Sequence, residues 1–70
     1  MTNKISGSIN NKKFEIRIGS SLEELIIYEA ISLNNVATAV NNIFIPKTER
    51  SKYILKNGDT VIIFSPITGG

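Results

Sequence analysis

The alternation of apolar and polar residues at the start of the chain predicts a β-hairpin. Every second residue is apolar or glycine in two runs, at Ile5, Gly7 and Ile9 and at Phe14, Ile16 and Ile18. Asn10-Asn11 separates the two runs, and asparagine tolerates the positive φ angles of a tight turn. We therefore predict two antiparallel strands joined at this turn.

A change of period after the hairpin predicts one short amphipathic helix. Ser20 with Glu23, or Ser21 with Glu24, has the S-x-x-E spacing of a capping box. The apolar residues that follow lie mostly on one helical face: Leu22, Leu25, Ile26, Ala30 and Leu33. Glu23, Glu24 and Glu29 are expected on the solvated side, where hydration and the helix dipole account for them without acid–base chemistry.

Three more strands are predicted in the second half of the chain. Val36–Val40 consists of small and β-branched residues, and Ile43–Ile45 ends at Pro46 because proline cannot donate to a ladder. Residues Tyr53–Leu55 are expected to pack back against the core. Val61–Phe64 is apolar at every position, and such a run suits the centre of a sheet. The pattern predicts a mixed sheet with the helix across one face.

The second face of the last strand has no other predicted helix to cover it. Whether that face carries Val61 and Ile63 or Ile62 and Phe64, it leaves an apolar patch, which is typical of a protein docking site. Partial cover by residues 47–55 is the alternative.

The polar segment 47–52 predicts a surface crossing between the fourth strand and the Asn57-Gly58-Asp59 turn. It concentrates positive charge at Lys47, Arg50, Lys52 and Lys56. This charge would suit an acidic partner or a phosphate. A solvated loop is the simpler interpretation, because no aromatic side chains are interleaved with the basic ones.

Composition excludes several classes of function. Seventy residues make one domain whose core is too small to enclose a substrate pocket as well. The chain has no Cys and no His, so it lacks a thiol nucleophile, a thiolate metal site and the commonest general base. A net charge of +2 gives little argument for nucleic acid. The N-terminus has no secretion-signal pattern, so we expect a cytoplasmic protein, or one of the plastid stroma.

The chain ends in Pro66-Ile67-Thr68-Gly69-Gly70. Because the two glycines have no Cβ, this tail is thin enough to enter a narrow channel in another protein. We expect residues 1–66 to form the domain and residues 67–70 to form a flexible tail. Our hypothesis is that the Gly70 carboxylate is the reactive group, and a frayed end without function is the alternative.

Several of these features recur in the order and spacing of one family. They are Val36–Asn41, Pro46, Gly58-Asp59 and the terminal Gly69-Gly70. Over nearly its whole length the chain resembles the ThiS family, the ubiquitin-like sulfur carriers of thiamine biosynthesis. The resemblance implies an α+β fold of the β-grasp type. It has a mixed five-stranded sheet of order 2-1-5-3-4, with one main helix packed on one face and the first and last strands parallel at the centre.

The resemblance also implies a covalent co-substrate and not an enzyme. An E1-like partner would use ATP to adenylate Gly70, sulfur would replace the adenylate to give a thiocarboxylate, and a thiazole synthase would take that sulfur. The chain itself would bind no cofactor, since ATP and its metal would sit on the adenylating partner. The sulfur would come from a donor such as a cysteine desulfurase system. Neither nucleic acid nor a membrane is an expected partner.

Two groups of site residues follow from this interpretation. The tail residues expected to thread the partner's active site are Thr68, Gly69 and Gly70. The residues expected to dock the partner are Ile62, Phe64 and Ile67. No residue of the chain is expected to be catalytic or to bind a metal.

Two departures from the family pattern keep alternatives open. Four residues after Pro46 the family commonly has tryptophan, whereas this chain has Arg50, with Tyr53 three residues further on. The ending from Phe64 to Gly70 is also similar to that of the molybdopterin-synthase small subunit, which carries sulfur for molybdenum cofactor.

Other functions are less well supported by the sequence. A carrier for tRNA thiolation or for an amino acid has no residue that argues for it. A ubiquitin-like interaction module that never uses its terminus is a further alternative. A nucleic-acid-binding protein is disfavoured by the weak charge. A hydrolase or transferase built from Glu23, Glu24 and Asp59 lacks an evident pocket.

Overall fold

The computed structural model describes residues 3–31 and 36–65, and these residues form a five-stranded sheet with one α-helix packed on it. The elements in chain order are β1 (Lys4–Ile9), β2 (Lys12–Arg17), α1 (Leu22–Tyr28), β3 (Ala37–Val40), β4 (Ile43–Ile45), a 3₁₀ turn (Lys47–Glu49) and β5 (Thr60–Phe64). The strand order is β2-β1-β5-β3-β4. β1 and β5 are parallel at the centre and the other neighbours are antiparallel. The predicted fold and strand order are confirmed.

The first hairpin forms where the alternation predicted it. Asn10 and Asn11 both have positive φ, 48° and 68°, as a tight turn with right-handed strand twist requires. The prediction that Ile18 continues the second strand is wrong, because β2 ends at Arg17. Gly19 has φ 92° and turns the chain away, so the Ile18 side chain is exposed even though its N–H still bonds to the Asn3 carbonyl.

The capping box of α1 uses the second of the two candidate pairs. The Glu24 N–H donates to Ser21 Oγ at 3.1 Å, and the Ser21 N–H donates to Glu24 Oε1 at 2.8 Å. The helix ends at Tyr28, so the prediction that Ala30 lies on its apolar face is wrong. Ala30 has φ 59° and its N–H donates to the Ile27 carbonyl, an arrangement that terminates a helix. Leu33 lies outside the described residues.

Glu29 does not lie on the solvated side, contrary to the prediction. Its side chain is 13% exposed, and its Oε1 accepts a hydrogen bond from Lys12 Nζ at 3.2 Å. Because α1 is shorter than the pattern predicted, Glu29 follows the helix and faces β2. This pair ties the end of the helix to the first hairpin.

The core lies between α1 and one face of the sheet. Its buried apolar residues are Ile5, Ile9, Phe14, Ile16, Leu22, Leu25, Ile26, Val40, Ile45, Leu55, Val61 and Ile63. Gly7 is required in β1 for a close approach, since a Cβ there would collide with the Asp59 carbonyl and lie 2.9 Å from the Phe14 ring. The third strand begins at Ala37, one residue later than predicted.

Arg50 is buried, so the interpretation of the whole segment 47–52 as a solvated basic loop is wrong at this position. The residue is 3% exposed. Its Nε donates to Thr38 Oγ1 at 3.2 Å, and Nη2 donates to the Val36 carbonyl. Thr38 Oγ1 in turn donates to the Ile45 carbonyl. A guanidinium is weakly hydrated and its stem is apolar, so it fills a place where the family commonly has tryptophan.

The return of residues 53–55 to the core is confirmed for two of the three residues. Leu55 is buried and Tyr53 packs partly against the core, whereas the Ile54 side chain is about half exposed. Ile54 instead forms an isolated backbone bridge with Ser21, next to the start of α1. The segment therefore covers the helix side of the sheet and leaves the other side open.

Candidate functional site

β5 divides its side chains between the core and the open face of the sheet. Val61 and Ile63 are buried beneath α1, whereas Ile62 and Phe64 point to the opposite side. The sequence left open which pair would face outward, and the structure places Ile62 and Phe64 there. Phe64 is 46% exposed and Ile62 is partly buried.

Neighbouring strands extend this open face into one apolar surface. Ala39 pairs with Ile62 and also with Phe44 of β4, and Ala37 pairs with Phe64. We call these five residues, Ala37, Ala39, Phe44, Ile62 and Phe64, the outer apolar patch. The two alanines are small, so they leave both phenylalanine rings accessible, and Phe44 is 60% exposed.

Sequence reasoning missed Phe44 and the two alanines as members of the patch. The alternation in residues 36–45 carried part of the signal, since residues opposite one another in register share a face. Register between β3 and β5 connects strands that are more than 20 residues apart, and the local pattern does not fix it.

The other half of the open face is polar. On β1 and β2 the outward positions hold Lys4, Ser6, Ser8, Lys13, Glu15 and Arg17. Lys4 Nζ and Glu15 Oε1 are 4.0 Å apart, an exposed ion pair that contributes little stability. The face thus has an apolar half on β5, β3 and β4 and a charged half on β1 and β2.

The patch ends at Phe64, a few residues before the predicted tail of residues 67–70. Phe64 is the last residue of β5 and Ser65 is the last described residue. The expected reactive and threading residues Thr68, Gly69 and Gly70 lie outside the described residues, as does the expected docking residue Ile67. The described part of the site is therefore the docking surface and the strand that leads to the tail.

Two of the three acidic residues considered for catalysis, Glu24 and Asp59, have structural partners. Glu24 belongs to the capping box of α1. Asp59 is buried before β5, where Oδ1 accepts from Asn41 Nδ2 at 3.0 Å and Oδ2 accepts from the Lys56 N–H at 2.9 Å. Burial, and secondarily the charge of Asp59, raises the pKa of Tyr53 above its ordinary 10.0. None of these groups is arranged with another around a shared substrate position.

Within residues 3–31 and 36–65, no group of three or more acidic residues, His or Cys is positioned to hold a metal ion. Over the same ranges, no helix has the length and apolarity needed to cross a membrane.

Comparison with known proteins gives a family and a fold. A sequence model described as the ThiS family matches residues 3–70. The crystal structure of a thiamine biosynthesis protein (ThiS) from Geobacter metallireducens is similar in fold, with a TM-score of 0.82 and 17% sequence identity. The similarity covers 94% of this chain and 100% of that one. No curated protein sequence matches the chain.

Proposed function

Because the chain belongs to the ThiS family, we propose that it carries sulfur on the carboxylate of Gly70 and presents that carboxylate to its partners by docking through the outer apolar patch. Proteins of this family are non-enzymatic sulfur carriers in thiamine biosynthesis, and they work with an adenylating enzyme and a thiazole synthase. The observation that carries the proposal is the family match, which runs through Gly69 and Gly70 to the end of the chain.

The chemistry follows from the properties of an α-carboxyl group. Its pKa of about 3.3–3.7 leaves it ionised at neutral pH, so an oxygen of Gly70 attacks the α-phosphate of ATP and pyrophosphate leaves. The resulting acyl adenylate has a good leaving group. The terminal sulfur of a donor persulfide attacks the carbonyl carbon and AMP leaves, which gives an acyl disulfide. A thiol then attacks the donor-side sulfur and breaks the S–S bond, so the donor leaves as a disulfide and the thiocarboxylate remains. A cysteine desulfurase system in the cytoplasm is the proposed source of sulfur.

The partners supply every other group in this scheme. ATP, its metal ion and the acid–base residues belong to the adenylating enzyme, and this chain contributes the tail and a surface. Tail residues Thr68 and Gly69 would pass through the channel that leads to the nucleotide. Neither nucleic acid nor a membrane takes part.

The outer apolar patch suits the docking role for two physical reasons. Apolar side chains on the open face of a sheet gain free energy when a partner covers them, at roughly 25 cal/mol per Å² of buried area. Phe64 is also the residue from which the chain continues into the tail, so docking there brings the root of the tail to the partner. We include Ile67 in this surface because it is the next apolar side chain after Phe64 that could contact a partner docked there.

Intact mass spectrometry tests the carrier chemistry. The chain is incubated with an adenylating partner, ATP and a sulfur donor, beside a variant that lacks Gly70. We expect a mass gain equal to the exchange of one oxygen for one sulfur, absent from the variant. No adduct on the full chain, with a partner that modifies its own carrier, would contradict the proposal and favour an interaction module.

A matched pair of substitutions tests the docking surface. Phe44 on the patch and Ile27 on the exposed side of α1 are each 60% exposed, and they lie on opposite sides of the sheet. We expect Phe44→Asp to raise the KM for adenylation about tenfold or more, in line with losing an apolar contact, and Ile27→Asp to leave it unchanged. Ile62→Asp and Phe64→Asp should also weaken adenylation while the fold survives. Equal KM values for folded Phe44→Asp and Ile27→Asp would rule out the patch.

A further inference from the structure

The side chain of Asn10 is bonded to the backbone of β5 just before the strand ends. The Ile63 N–H donates to Asn10 Oδ1 at 2.8 Å, and Asn10 Nδ2 donates to the Ile63 carbonyl at 3.1 Å. One carboxamide thus satisfies both backbone groups that Ile63 turns toward β1. The two residues are 53 positions apart in the chain.

This contact replaces a missing piece of the sheet. β1 and β5 run parallel, with Ile9 opposite Val61, and the Asn10 N–H continues the ladder to the Val61 carbonyl at 2.9 Å. At Asn10 the main chain turns into the hairpin with φ 48°, so its own carbonyl no longer serves as the next acceptor in the ladder. A carboxamide has an N–H donor and a C=O acceptor, as a peptide group does. Here it extends the hydrogen bonding on the β1 side of β5 from Val61 to Ile63.

The consequence is a defined point at which β5 becomes a tail. The Ile63 N–H and C=O both bond to Asn10, whereas on the other side of β5 Ile62 and Phe64 are opposite Ala39 and Ala37 of β3. Without the Asn10 side chain, the β1 side of β5 would have no bond beyond Val61, and the end of the strand would be held through β3 alone.

We propose that Asn10 is a positioning residue for the sulfur-carrier reaction, because it fixes the root of the tail relative to the docking surface. This inference rests on the proposed function. A docked domain delivers its tail at an effective concentration that depends on the length and stiffness of the connection. If the end of β5 is fixed, the carboxylate stays near the adenylating centre. If more of the strand can move, the effective concentration of the carboxylate at that centre falls. Asn10 itself touches none of the reacting atoms.

The test uses glycine substitutions, because glycine keeps the positive φ angles of the turns while removing the side chains. Asn10→Gly removes the contact to Ile63. Asn11→Gly changes the same turn without that contact. Asn41→Gly removes an equivalent carboxamide, which accepts from the Thr60 N–H at the opposite end of β5. Asn10→Asp keeps the acceptor of the Ile63 N–H and loses the donor to the Ile63 carbonyl. This variant replaces Asn10→Gly in the test if Asn10→Gly does not fold.

Two readouts separate positioning from a loss of stability. We expect Asn10→Gly to lower kcat for thiocarboxylate formation roughly fivefold, because it removes both hydrogen bonds to Ile63 and part of their net stabilisation serves to position the end of β5. KM should change little, since the outer apolar patch is intact. Amide hydrogen exchange at Ile63 should speed up in this variant alone. Asn10→Asp should fall between Asn10→Gly and the wild type in kcat, and it should leave Ile63 exchange near the wild-type rate because it keeps the acceptor for that N–H. Asn11→Gly and Asn41→Gly should match the wild type in kcat.

The outcomes are distinguishable from failure of the proposed function. If the wild-type chain forms no thiocarboxylate, the proposed function fails, while the exchange data still show whether Asn10 holds Ile63. If the wild type reacts and Asn10→Gly has the same kcat as Asn41→Gly, the positioning role is overturned. An unchanged Ile63 exchange rate in folded Asn10→Gly would also overturn it. If Asn10→Gly does not fold, a wild-type kcat in Asn10→Asp would overturn it instead.

Discussion

The two Asn-Asn turns of this chain have nearly the same φ angles, but their side chains make different contacts. Asn10-Asn11 has φ angles of 48° and 68°, and Asn41-Asn42 has 52° and 69°. In each turn the first asparagine directs its carboxamide to β5. Asn41 acts at the entry of the strand, on Thr60, and Asn10 acts at its exit, on Ile63.

The difference lies in what each carboxamide meets. Asn41 binds the Thr60 N–H and also donates to the carboxylate of buried Asp59, so it belongs to a side-chain network. Asn10 meets only backbone in its described contacts, and those two bonds lie one residue before the end of β5. We infer that the contacts at the entry end of β5 mainly stabilise the fold, whereas those at the exit end mainly position the end of the strand. Identical local sequence therefore acquires separate roles from its surroundings.

Among the substitutions that test this difference between the two ends of β5, Gly7→Ala should have the largest effect on the free energy of unfolding. The new Cβ would collide with the Asp59 carbonyl and crowd the Phe14 ring, so overpacking should lower the free energy of unfolding by about 2–3 kcal/mol. Urea denaturation measures this, with Ser8→Ala on the outward side of β1 as a nearly neutral control. Because Gly7 touches the entry end, Ile63 exchange in the folded state should change little. A selective loss of protection at Ile63 would break the distinction between the two ends.

Asp59→Ala tests the entry network directly. It leaves the Lys56 N–H and Asn41 Nδ2 without their acceptor, and an unsatisfied buried donor costs about 1–3 kcal/mol. We expect a loss near 2 kcal/mol by urea denaturation. Asp59→Asn retains an oxygen and the volume, so it should cost less. If the two substitutions cost the same, hydrogen bonding by the carboxylate is not what stabilises this end.

The asparagine substitutions should have smaller and independent effects on stability. Asn10→Gly and Asn41→Gly should each cost about 1–2 kcal/mol, because each removes two hydrogen bonds that are not fully buried. Thr60 and Ile63 are three residues apart, roughly 10 Å along a strand. We therefore expect the double variant to equal the sum within about 0.5 kcal/mol. A larger coupling would mean that the two ends form one unit.

The smallest expected effect is a pH dependence at the entry end. Burial, and then Asp59, raises the pKa of Tyr53 above 10.0 in the folded protein. The folded state thus holds the phenolic proton more tightly than the unfolded state. This contribution is fully present below about pH 10 and is lost as pH rises through the folded pKa. Tyr53→Phe should remove this pH dependence of the free energy of unfolding in that range. The control Tyr28→Phe, at an exposed position, should not change it.

Much of the fold followed from local pattern. Period-two alternation predicted β1 and β2, the S-x-x-E spacing predicted the start of α1, and an all-apolar run predicted the central place of β5. The errors concern the ends of elements and single polar residues. Helix α1 ended earlier because Ala30 adopted a positive φ in a terminating turn, which its sequence does not favour. Their charge predicts that Glu29 and Arg50 are exposed to solvent. In the structure each side chain instead bonds to a residue of another segment of the chain.

The candidate site was predictable in part for the same reason. Ile62 and Phe64 could be proposed because alternation restricts an exposed apolar pair to two choices. Phe44 joined them only through strand register, and Asn10 met Ile63 only because β1 and β5 lie side by side. Contacts of this kind depend on residues 20 to 50 positions apart, which no local pattern specifies.

The sequence by itself determined the elements, the turns and the resemblance to a carrier family with a Gly-Gly end, because propensity, periodicity and steric freedom act over a few residues. The tertiary structure decided which face of β5 is open, why Arg50 can be buried, and which asparagine holds which end of the strand. Those outcomes required pairing between strands that are far apart in the chain. The parallel pairing of β1 with β5 places Asn10 beside Ile63, whereas β3 supplies a partner for Arg50 and places Asn41 at the entry of β5.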